Sequence, residues 1–141
     1  MSNNLPEKTQ TKTRFHLLDA IVSILTGRLL PPGQKGFNFS KKQGGVEEAT
    51  LLGNNIKVSA INAGFSNGMA AHANETDDSH TKGRFHPGCA IIPTTLAIAE
   101  KENLGSDEIF KAIALGYDIG VRFTTSLGYK TPKTSIFATH S

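Results

Sequence analysis

The sequence predicts an all-α, mainly helical fold of about four helices joined by long irregular loops. Three observations predict it. Apolar residues recur at intervals of three and four over residues 14–30, and again over residues 106–126. Between them, residues 60–74 form a run of Ala, Gly, Asn and Ser behind Ser59, a good helix cap. A further helix is expected to run from residues 87–92 to about residue 103. A chain of 141 residues with 38% apolar and 19% charged content suits one globular domain with one core.

In chain order, residues 1–13 are polar and read as a disordered tail, and residues 14–141 as the domain. Leu17, Leu18, Ile21, Val22, Ile24, Leu25 and Leu29 give the first helix a broad apolar stripe, which Pro31-Pro32-Gly33 is expected to stop. His16, at its start, reads as an isolated surface or half-buried histidine. Residues 31–58 read as the least regular part, with turns at Gly44-Gly45 and Asn54-Asn55. In the second helix, from about residue 60 to 74, only Ile61, Phe65 and Met69 are large and apolar, and Gly64 and Gly68 imply close helix packing. That helix is expected to lie buried. A third helix starts between residues 87 and 92, has Pro93 in its first turn and ends at Gly105. Ser106 is expected to cap the fourth, which carries Asp107 and Glu108 where the helix dipole favours acids.

The net charge of +3 is spread along the chain, so no basic tract points to nucleic acid. The modest positive balance suits an anionic small substrate. The lone Cys89 excludes an internal disulfide and fits a reducing compartment. No segment approaches the ~20 apolar residues of a membrane span, and the N-terminus has no apolar leader. These features predict a cytoplasmic protein with no nucleic-acid or membrane partner.

Chemistry concentrates in residues 72–92. Here His72, Glu75, Asp77, Asp78, Ser79, His80, Lys82, Arg84, His86 and Cys89 lie within one loop between two packable helices. Three uses are open. A metal site is one, because His72 and Glu75 at i,i+3 can share an ion, although no HExxH, EF-hand or cysteine set is present. Nucleophilic catalysis through Cys89 or Ser79 is another, without a recognised elbow around either residue. The third is acid–base work on an anionic substrate, in which an imidazole moves a proton, carboxylates orient it, and Lys82 and Arg84 hold carboxylate oxygens. For each residue alone the plainer reading is a capping Asp or Ser, or a solvated Lys. The density of functional groups exceeds what capping requires.

Several separated blocks carry a family resemblance. Ala71-His72-Ala-Asn-Glu75-Thr-Asp77-Asp78-Ser79-His80, then His86-Pro87-Gly88-Cys-Ala-Ile-Ile-Pro93, Leu96-Ala-Ile-Ala-Glu100 and Ala114-Leu-Gly116-Tyr117 resemble the MmgE/PrpD family. That family includes 2-methylcitrate dehydratase and cis-aconitate decarboxylase. Upstream, Leu18-Asp19 and the Gly44-Gly45-x-x-Glu48-Ala49-Thr50-x-x-Gly53 pattern are similar too. The resemblance implies a helical domain that pairs with an α/β lid, a homodimer, and lyase chemistry without metal or organic cofactor. Its substrates would be small di- and tricarboxylates such as 2-methylcitrate, deprotonated beside a carboxylate with loss of water or CO2. Carried over by motif, Glu75 (more usually Asp), Ser79 (more usually Thr), His86 and His140 are the candidate catalytic residues. Asp78, Lys82 and Arg84 are candidate substrate-binding residues, with Asp77 and Asp78 also expected to brace the loop.

The family's members are longer than this chain, so the resemblance implies the N-terminal part of the helical domain with the lid absent. The remaining lysines and tyrosine of the site would lie beyond Ser141. A tricarboxylate left without cationic partners costs several kcal/mol in a closed pocket. The chain alone is therefore expected to be inactive, and either poorly folded or oligomer-dependent. A non-catalytic remnant or helical interaction module is the alternative reading, and a metal-dependent hydrolase the third.

Overall fold

The computed structural model describes residues 5–127 and shows a mainly helical domain. Its five helices are α1 (Glu7–Gly27), α2 (Pro31–Gln43), α3 (Ala60–His72), α4 (Pro87–Lys101) and α5 (Ser106–Ser126). A short antiparallel hairpin, β1 (Ala49–Thr50) and β2 (Lys57–Val58), pairs Ala49 with Val58 and Thr50 with Lys57. No helix among the described residues is long and apolar enough to cross a membrane.

Two expectations from the sequence are corrected here. Residues 7–13 are not tail but the first two turns of α1, opened by Thr9 and Gln10 amides donating to the Pro6 carbonyl. Thr13 is buried, and Arg14 lies over the Phe110 ring of α5 at 5.6 Å, so this polar end is held by tertiary contact rather than by an apolar stripe. The stretch after Leu30 is not irregular either. Pro31 and Pro32 begin α2 rather than merely ending α1, because a proline in the first turn loses no helical hydrogen bond. The buried face of α2 is Gly33, Gly36 and Ser40, and small residues at helical spacing leave no apolar periodicity to read.

α3 packs against α1, α2 and α4, while α5 leans on α4 and α1. α3 was expected to lie buried, and its buried face is made of its small residues: Ala60, Ala63, Ser66, Asn67, Ala70 and Ala71 are buried, whereas Ile61 is 83% exposed and Phe65 50%. Close approach explains the choice. A Cβ on Gly68 would stand 2.9 Å from the Cys89 carbonyl of α4, the oxygen that Pro93 cannot bond because it has no N–H. Pro93 therefore sits inside α4 and not in its first turn. Buried Asn67 is satisfied by the hairpin, accepting from the Leu52 amide (3.0 Å) and donating to the Thr50 carbonyl (3.0 Å).

Helix ends also differ in detail. Ser59 caps α3 as expected, its hydroxyl accepting from the Asn62 amide. At the end of α4 it is Asn103, with φ 52°, that turns left-handed, and the amides of Leu104 and Asn103 return to the carbonyls of Ala99 and Glu100. Gly105 instead precedes α5, and Ser106 is its first helical residue rather than a side-chain cap.

Candidate functional site

The loop joining α3 to α4 spans residues 73–86. Non-glycine residues take a left-handed backbone near each end, Glu75 with φ 53° and Arg84 with φ 50°. Between them the loop folds back on itself. The His80 amide donates to the Phe85 carbonyl at 2.9 Å, and the Gly83 amide donates to His80 Nδ1 at 2.9 Å. Gly83 is buried against Thr124 of α5, where no side chain fits. This docking turns the tip residues Lys82 and Arg84 to the exposed surface.

Two adjacent aspartates face different partners. The buried Asp77 carboxylate lies between two imidazoles: His72 Nδ1 is 3.1 Å from Oδ1 and 3.2 Å from Oδ2, and His86 Nδ1 is 3.5 Å from Oδ1. The rings of His72 and His86 stand 4.8 Å apart between centroids. His72 is the last residue of α3 and His86 immediately precedes α4, so two helix ends supply the imidazoles and the loop supplies the acid. Asp78 faces the other way. Its Oδ1 accepts from the Gly88 amide in the first turn of α4 (2.8 Å), and its Oδ2 accepts from the Tyr117 hydroxyl of α5 (2.7 Å). His16 Nδ1 of α1 is 3.0 Å from the same Oδ2, and its ring lies 4.5 Å from that of Tyr117. A Cβ at Gly88 would meet Asp78 Oδ1 at 2.5 Å, so this short hydrogen bond requires glycine there.

Burial pushes the Tyr117 phenol well above its ordinary range, and the hydrogen-bonded, negatively charged Asp78 adds to it. Burial likewise raises the Cys89 thiol from 9.0 to about 12, helped by the charge of Asp77. Cys89 Sγ donates to the His86 carbonyl at 3.1 Å. A thiol held neutral in this way is a small packed residue and not an activated nucleophile. Beside the His16–Tyr117 pair a cleft of about 320 Å³ opens between α1 and α5, with Lys8 and Lys12 among its lining residues.

The structure brings together His72, Asp77 and His86, while Glu75, Ser79, Lys82 and Arg84 lie at the exposed face of the loop. Asp78, a candidate for substrate binding, has both oxygens engaged by donors of the fold. His140 lies outside the described residues. Sequence reasoning placed His72 near Glu75; the structure adds Asp77, five residues on, as a carboxylate partner that helical spacing alone does not reach. It also treated His16 as isolated; only packing of α1 on α5 reveals its place beside Asp78.

A helical domain whose inter-helix loop gathers imidazoles around a buried carboxylate has the equipment of an acid–base protein. A model of the MmgE/PrpD N-terminal domain matches residues 2–141. The chain belongs to that family. No curated protein and no solved structure matches it.

Proposed function

We propose that this protein acts as an MmgE/PrpD-type lyase on a small di- or tricarboxylate such as 2-methylcitrate, by acid–base proton abstraction with loss of water or CO2. The observation that carries this reading is the Asp77 carboxylate set between His72 and His86. A carboxylate at an imidazole orients the ring and stabilises its protonated form, which is what a base that must accept a proton needs. His86 is the proposed proton-transfer residue, with His140 as its partner in transfer or in carboxylate binding. Glu75 and Ser79 would orient the substrate or its leaving hydroxyl, and Lys82 and Arg84 would hold carboxylate oxygens. A homodimer is proposed from the family alone.

A tricarboxylate calls for several cationic partners, of which the loop supplies Lys82 and Arg84. The test is a titration of the 141-residue protein with a panel of polycarboxylates, following the histidine imidazole signals by NMR. Deuterium uptake into the substrate from D2O is measured in parallel. Expected are shifts of the His86 signals at millimolar ligand, with any deuterium uptake falling about 10²-fold or more in His86→Gln. Unmoved imidazole signals across the whole panel, with no exchange, would sink the proposal.

A further inference from the structure

We propose that the cleft between α1 and α5 binds a small amphipathic anion, a carboxylate or phosphate monoester carried on an apolar body. The cleft encloses about 320 Å³, room for a small organic molecule. Its α1 wall carries Lys8, Lys12 and His16, spaced four apart and so stacked on one helix face. Like charges at that spacing repel, and a cation in the first turn of a helix opposes its dipole. Glu7, the acid of that turn, is not part of the lining. Lys57 and Lys101 are paired with Glu100 and Glu48, but neither Lys8 nor Lys12 meets a carboxylate among the described residues. A bound anion supplies the missing counter-charge.

His16 completes the charged wall. Its Nδ1 is 3.0 Å from Asp78 Oδ2, which fixes the ring and leaves Nε2 as the nitrogen able to meet a ligand. Asp78 repels an anion only weakly, because the Gly88 amide and the Tyr117 hydroxyl already donate to its two oxygens. The opposite wall has a different character. Ile113, Ala114 and Tyr117 line the cleft from α5 and bring no cation. A ligand charged at every end, such as a tricarboxylate, would press carboxylates without partners against that wall. One anionic head on α1 and one apolar body on α5 satisfy both walls. The inference goes beyond the lyase reading and does not rest on it, since no cleft-lining residue is proposed there for catalysis.

The experiment is NMR titration of the 141-residue chain with phenyl phosphate and with hexanoate, set against inorganic phosphate and citrate. Expected is saturable binding of at least one of the first two, shifting the His16 imidazole and Ile113 methyl signals together. Inorganic phosphate and citrate should act on those signals about tenfold more weakly, for want of an apolar body or of partners for extra charge. Lys8→Ala combined with Lys12→Ala should weaken binding more than about tenfold. Removing two exposed lysines of α2 instead, by Lys41→Ala with Lys42→Ala, should change it by less than about twofold. Ala114→Leu, which fills the apolar side, gives a second route to the same loss, and circular dichroism checks that each variant is folded. Binding of phenyl phosphate alone assigns a phosphate head, and of hexanoate alone a carboxylate; both support the proposal. It is overturned if neither probe moves the His16 and Ile113 signals, or if the Lys8 and Lys12 double variant keeps full affinity. Equal binding of inorganic phosphate or citrate at those signals overturns it too, because the apolar wall then contributes nothing. The lyase test reads His86 and deuterium uptake, so either reading can fail without the other.

Discussion

Asp77 and Asp78 are neighbours in the chain with opposite partners. Asp78 is tied to three helices at once, through the Gly88 amide on α4, the Tyr117 hydroxyl on α5 and His16 on α1. Asp77 is more deeply buried, and its polar neighbours include the imidazoles of His72 and His86, which can gain and lose protons. One acid therefore holds the frame while the next faces the groups able to do chemistry. The difference teaches that a run of carboxylates in a loop is not a single feature. Here the two side chains leave the loop on different sides, and one side is the helix junction.

Four changes break or sharpen this contrast. The largest effect is expected for Asp78→Ala, which leaves the Gly88 amide and Tyr117 hydroxyl without an acceptor. Urea denaturation should register a loss of about 3 kcal/mol. Tyr117→Phe removes one of those bonds and should cost about 2 kcal/mol, because the acceptor is charged. Asp77→Asn keeps the shape and should cost only about 1 kcal/mol. It should disturb the His72 and His86 titration curves in NMR far more than Tyr117→Phe does. If Asp77→Asn proves as destabilising as Asp78→Ala, the division between frame and chemistry fails.

The smallest effect is alkaline. Both Cys89 and Tyr117 have raised pKa values in the fold, so the unfolded chain gives up their protons first. For Cys89 the stabilising preference for the neutral thiol is complete below pH 9.0 and is lost as pH rises from there towards about 12. At pH 10 the loss should stay under about 1 kcal/mol, since the thiol is only half-buried. Thermal melts of Cys89→Ala across pH 8 to 10 should show a flatter decline than the parent. An identical slope would show that the thiol is not held neutral by the fold.

Much of the helical framework was legible because α4, α5 and most of α1 carry apolar or capping signals at helical spacing. α2 was not. Its buried positions are Gly33, Gly36 and Ser40, and a helix that packs through absent side chains leaves no hydrophobic period. The same effect holds in α3, where alanines face the core and Ile61 faces outward. In the site, the density of residues 72–86 marked the loop in which His72, Asp77 and His86 meet, and the motif blocks pointed to the family that matches. The pairings inside the loop were out of reach, because they depend on where the loop docks on α5 and how α1 crosses it.

The sequence by itself determined the helical class, the family and the segment where titratable groups gather, since these follow from local periodicity, capping and residue order. Only the tertiary structure decided that Asp77 belongs to two histidines while Asp78 belongs to three helices. Adjacent residues have the same chemistry and nearly the same position in the chain. What separates them is the direction each side chain takes once Gly83 lies against Thr124 and Gly88 lies against Asp78, contacts made between elements far apart in sequence.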